Sequence, residues 1–104
     1  MTNTMKVRQF YNLNQFIIEG EGKKIFQSYD STIAIIDYQK QTLTFGRDWD
    51  YSHTTMKHLY MFLDEEFYLS NINQDIEKAL HTNNKRKALQ SLIDKGIILY
   101  DNEL

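Results

Sequence analysis

The sequence predicts an α+β domain in which a mainly antiparallel sheet of about four to five strands carries three helices on one face. Short β-branched and aromatic runs fill the first half of the chain. Polar connections between them read as hairpin turns, and after Ser52 the apolar residues recur at helical spacing. Strands followed by a block of helices make an antiparallel sheet with segregated helices the simplest architecture.

Residues 1–9 lack an apolar pattern and are expected to be loosely ordered. Residues 14–19 read as a strand, and Gly20, Glu21 and Gly22 follow as a tight reversal, because glycine reaches positive φ without steric cost. Residues 23–29 then return as the partner strand. The clearest hairpin joins 32–36 to 42–45 through the polar segment 37–41. In its first strand Ile33 and Ile35 share one face and Ala34 and Ile36 the other, so this strand is expected at the sheet centre, covered on both sides.

From Ser52 onward Met56, Leu59, Tyr60, Leu63 and Phe67 fall on one face of an amphipathic helix, and Ser52 suits its N-cap. Asp48 and Asp50 lie just upstream, where negative charge favours the helix start. The stretch Ser70-Asn-Ile-Asn-Gln74 offers a second N-cap ahead of the stripe Ile72, Ile76, Ala79 and Leu80, in a shorter helix ending near His81. Asn83 or Asn84 caps a third helix with Ala88, Leu89, Leu92 and Ile93 inward, and Gly96 stops it. Residues 97–100 close the order as a last strand.

At 104 residues the chain fits a single domain, 1–104, long enough to close one hydrophobic core. The hydrophobic content of 41% and charged content of 25% are those of a folding sequence. Because there is no cysteine, disulfides, thiolate metal sites and a cysteine nucleophile are excluded. The N-terminus lacks the apolar core of a secretory signal and no apolar run reaches membrane-spanning length, so a cytoplasmic protein without membrane association is expected. A formal net charge of −2 gives no global attraction to nucleic acid.

The polar residues concentrate where strand meets helix: Arg47, Asp48, Trp49, Asp50, Tyr51, His53 and Lys57. As a metal site the cluster fails, because His53 and His58 stand roughly 140° apart around a helix and no cysteine or suitably spaced third ligand completes a set. As a catalytic site it fails as well, because Ser52 beside His53 is adjacency without convergence and no G-x-S-x-G elbow is present. Neither an enzyme nor a cofactor is expected. A recognition surface fits better, since Trp, Tyr and Arg are the residues that anchor interfaces. The bland alternative is that Trp49 closes one end of the core while Arg47 pairs with Asp48 or Asp50. A second candidate surface, for nucleic acid, is Lys85, Arg86 and Lys87 at the start of the third helix, although three adjacent basic residues are more often a solvated face.

Tyr29-Asp-Ser-Thr-Ile-Ala-Ile-Ile-Asp37, followed by Leu43-Thr-Phe-Gly-Arg-Asp-Trp-Asp-Tyr-Ser-His-Thr-Thr-Met-Lys-His-Leu59, resembles small uncharacterised proteins of phages and mobile elements of Gram-positive bacteria. The abundance of Ile, Asn, Lys, Tyr and Phe, all with A/T-rich codons, agrees with such a source. The resemblance implies a bacterial host cell and a partner that is a host protein or protein–nucleic-acid complex. It brings in host-defence antagonists, among them anti-CRISPR inhibitors of a Cas nuclease.

Overall fold

The computed structural model describes residues 5–66 and 69–104. The chain begins as a meander of β1 (Lys6–Phe10), β2 (Asn12–Gly20), β3 (Lys23–Ser28), β4 (Ser31–Asp37) and β5 (Thr42–Gly46), each antiparallel to the one before. The helices α1 (His53–Asp64), α2 (Leu69–Ile72), α3 (Gln74–Ala79) and α4 (Lys85–Asp94) follow. The short β6 (Leu99–Asp101) then pairs parallel to β5, which makes the spatial order β1-β2-β3-β4-β5-β6.

Local chemistry sets each reversal. Glu21 and Gly22 both have positive φ, 54° and 75°, the pattern of a two-residue hairpin turn whose twist matches its strands. Between β4 and β5 the Asp37 carboxylate accepts the backbone N–H groups of Gln39 and Lys40, each at 3.0 Å. These bonds fold the connection back on its own aspartate.

The sheet buries one face. Ile17, Phe26, Ala34, Ile36, Leu43 and Phe45 are buried, and they share one core with Leu59, Phe62 and Leu63 of α1, Ile76 of α3, and Leu89 and Leu92 of α4. Phe26 and Phe62 stack at 5.6 Å between ring centroids, and Phe10 meets both edge-on at 5.8 and 6.4 Å. Burial of such aromatic area is the largest single source of stability available to a domain of this size.

Several expectations are corrected. Residues 1–9 are not loose throughout: from Lys6 they form β1, which is exposed except at Phe10 and is held by its ladder to β2 rather than by burial. Its two apolar residues, Val7 and Phe10, do not alternate, so no strand pattern is legible there. Strand β4 is central but not covered on both sides. Phe26 faces Ala34 and Gln27 faces Thr32, so the register skips Ile33, and this bulge turns Ile33 to the buried side while Ile35 stays partly exposed. The described residues hold six strands and four helices, against four to five and three. The added helix is the single turn α2, and within the stretch 70–74 expected to supply a cap it is Asn73 that caps the helix after it, accepting the Asp75 N–H at 2.8 Å. The last strand, expected over 97–100, begins two residues later and ends one residue later. Position 67, expected on the α1 stripe, lies outside the described residues.

Gly46 ends β5 under a tight constraint, because a Cβ there would stand 2.3 Å from the Thr32 carbonyl oxygen. Backbone cannot retreat as a flexible side chain can. Gly46→Ala is expected to cost roughly 1–3 kcal/mol, as overpacking does. Thermal melting should show a fall of several degrees, and an unchanged midpoint would mean that β4 and β5 separate freely there.

Candidate functional site

The strand-to-helix junction forms as its sequence suggests. Two successive turns, Trp49 N–H to Gly46 O at 3.2 Å and Tyr51 N–H to Asp48 O at 3.1 Å, carry the chain from β5 into α1. Ser52 is extended and its hydroxyl accepts the Thr55 N–H at 3.1 Å, a regular N-cap.

Trp49 is only 2% exposed and its ring lies 5.2 Å from that of Phe45, so it closes the core beneath the junction. Arg47, Tyr51, His53 and Lys57 are exposed, whereas Asp48 and Asp50 are half-buried. Among the described residues neither expected partner of Arg47 is paired with it. The Asp48 carboxylate accepts from the Ser31 hydroxyl at 2.9 Å, tying the junction to the start of β4. The Asp50 carboxylate accepts from Arg86 at 2.7 Å, and that guanidinium also lies 5.8 Å from the Trp49 ring centre. The two candidate surfaces of the sequence therefore meet through Asp50 and Arg86, 36 residues apart.

This pair remains open to water, with side-chain exposures of 51% for Arg86 and 25% for Asp50. Exposed pairs contribute about 1 kcal/mol or less. A double-mutant cycle of Asp50→Ala and Arg86→Ala is expected to return a coupling within that range. A coupling several times larger would make the pair a structural clamp rather than a surface contact.

The α1 stripe is rotated from the expected one. Thr55, His58, Leu59, Phe62 and Leu63 are buried, and the His58 Nδ1 lies 2.8 Å from the Thr54 carbonyl oxygen. Phe62, the largest apolar side chain of the helix to be fully buried, sets this rotation. Met56 and Tyr60, expected on the apolar face of this helix, consequently turn partly out of the core. They line a groove of about 730 Å³ between α1 and the start of α4, with His53, Lys57, Lys85 and Arg86 around them. Burial raises the Tyr60 phenol pKa, and the Lys85 ammonium lies 6.0 Å from its ring centre. Lys87 is exposed on the same first turn of α4.

The start of α4 is electrostatically uncomfortable. Lys85, Arg86 and Lys87 occupy its first turn, which has no acidic residue, while Asn84 caps it through the Lys87 N–H at 3.1 Å. Cations oppose the positive end of a helix dipole at a cost of about 0.3–1 kcal/mol each. Asp50 offsets this for Arg86. Among the described residues no ion pair offsets it for Lys85 or Lys87.

A second cavity, of about 610 Å³, lies on the Asp48 side of the junction and includes Tyr51 and Ser52. The predicted cluster is thus divided: Asp48 and Tyr51 belong to this cavity, while His53 and Lys57 belong to the groove. No three His, Cys, Asp or Glu side chains converge among the described residues in a way that could hold a metal ion. Among the same residues, no helix is long and apolar enough to cross a membrane.

The fold and its concavities define a small α+β domain with a half-buried polar corner and a cation-lined groove. The chain belongs to a family of unknown function, DUF8033, whose model matches residues 1–81. The matched span covers the junction and α1 but stops before α4, so Lys85 and Arg86 lie beyond it. No curated protein and no solved structure matches the chain.

Proposed function

We infer that this is a non-enzymatic binding protein of a phage or mobile element, which occupies a surface of a host protein or protein–nucleic-acid complex in the bacterial cytoplasm. A host-defence complex such as a Cas nuclease belongs to that class of target. Stoichiometric occlusion is the mechanism. One observation carries the reading: the groove between α1 and α4, where Lys57, Lys85 and His53 surround Met56, Met61 and Tyr60.

Its chemistry suits an acidic segment of a protein. Methionine side chains adapt to irregular apolar partners, and lysines at the rim select negative charge in a chain that is acidic overall. The lysines of the α4 first turn work against the helix they begin, so the solvated-face explanation leaves their placement without a benefit. Nucleic acid is the less favoured occupant, because Arg86 is already engaged by Asp50 and tight phosphate binding needs many free cations. Of the predicted cluster His53 and Lys57 reach this groove, and the buried Trp49 supports Arg86, which also lines it.

Capture from a Gram-positive lysate, with and without nuclease, tests this reading. A protein retained in both arms is the expected result. Retention only in the arm without nuclease, with steep salt dependence, would transfer the function to nucleic-acid binding through Lys85, Arg86 and Lys87.

A further inference from the structure

The cavity on the Asp48 side of the junction has a composition that the groove does not share. Its volume of about 610 Å³ lies within the range of small-ligand sites. Among the described residues two carboxylates line it, Asp30 and Asp48, and no lysine, arginine or histidine does. Asp48 forms no ion pair among the described residues, and Ser31 supplies its one side-chain hydrogen bond there. Gln15 of β2 also lines the cavity; it is 2% exposed, and its Oε1 has no hydrogen-bond donor among the described residues. At the rim Tyr29 and Tyr51 are 64% and 79% exposed, so two aromatic rings are presented to whatever enters.

We propose that this cavity binds an organic cation, an ammonium or guanidinium group, between the Asp48 carboxylate, the Gln15 amide oxygen and the rings of Tyr29 and Tyr51. A buried acceptor without a donor is destabilising, and a ligand N–H is the complement it lacks. The carboxylates supply the countercharge and the tyrosine faces attract a cation. The start of α1 works in the opposite sense, but it is equivalent to only about half a positive charge, less than the two carboxylates together. The site therefore selects against anions. It lies on the other side of the junction from the groove and does not depend on what the groove binds.

The group could be part of a free amine or the side chain of an arginine in a protein, and two probes separate these sources. Agmatine represents the first and N-acetyl-arginine amide the second, each titrated into the full chain and followed by amide NMR. Saturable shifts of the Gln15 side-chain amide and of the Asp48 and Tyr51 backbone amides are expected. A response to the blocked arginine assigns the site to a protein side chain, whereas a response to agmatine alone assigns it to a small amine. Asp48→Asn and Tyr51→Ala should each weaken binding by about tenfold, the loss expected for one charge-assisted or aromatic contact. Tyr51→Ala keeps the test clear of folding effects, because that side chain is largely in water. Absence of shifts with both probes would overturn the proposal, as would equal shifts with acetate or glucose.

Discussion

Phe62→Ala is expected to remove about 3–5 kcal/mol of stability, the usual cost of truncating a buried aromatic residue. Phe62 is 1% exposed, stacks on Phe26 and meets Phe10, so the lost ring leaves a void bounded by β1, β3 and α1. The Lys24 ammonium also lies 5.7 Å from its ring centre and is held at 3.6 Å from Glu66. A domain of this length has of the order of 5–15 kcal/mol in total, so the variant should be close to unfolding at ordinary temperature. In chemical denaturation the midpoint should fall while the slope stays constant. Tyr51→Ala is the control, since an exposed truncation changes stability by roughly 0.5 kcal/mol or less. A loss below about 1 kcal/mol at Phe62 would mean that α1 is not packed on the sheet as described.

The double reversal Lys57→Glu with Lys85→Glu should separate binding from folding. Both side chains line the groove, so an acidic partner would meet two like charges, and juxtaposition of like charges costs several kcal/mol. Affinity is expected to fall at least about a hundredfold. Stability should move the other way, because a carboxylate in place of the Lys85 ammonium would complement the α4 dipole and contribute about 0.3–1 kcal/mol. Weaker binding with an equal or higher melting midpoint is the combined signature. A variant that binds as the parent does would exclude the groove, and one that melts earlier would give the lysines a structural role.

The residues that could be read from sequence were those whose partners are close in the chain. Ser52 caps α1, Glu21 and Gly22 turn the first long hairpin, and Gly96, at φ 77°, ends α4, each through contacts a few residues away. Strand β1 is not legible in the sequence because its apolar residues, Val7 and Phe10, do not alternate and it is specified by a backbone ladder to β2. The rotation of α1 was missed because Met56 and Tyr60 fit a helical stripe as well as His58 and Phe62 do. Only the packing of Phe62 against Phe10 and Phe26 decides between the two faces. At the site, Arg47 and Asp48 are neighbours in sequence but do not pair, whereas Asp50 and Arg86 do so across 36 residues. No local pattern carries that information. The division of the junction into a cationic groove and an acidic cavity has the same origin, since it depends on which elements flank α1 in space.

Hydrogen–deuterium exchange of the chain with and without its captured protein partner tests the assignment of the groove most directly. In the first turns of α1 and α4 the Thr55 and Lys87 N–H groups are held by the Ser52 and Asn84 side chains, while those before them lack intrahelical acceptors and exchange readily unless something covers them. Slowed exchange at 53–57 and 83–87, with the exposed strand β1 unchanged, is the expected result. Protection of β1 or of the partly exposed face of β4, with both helix starts unaffected, would contradict binding through the groove.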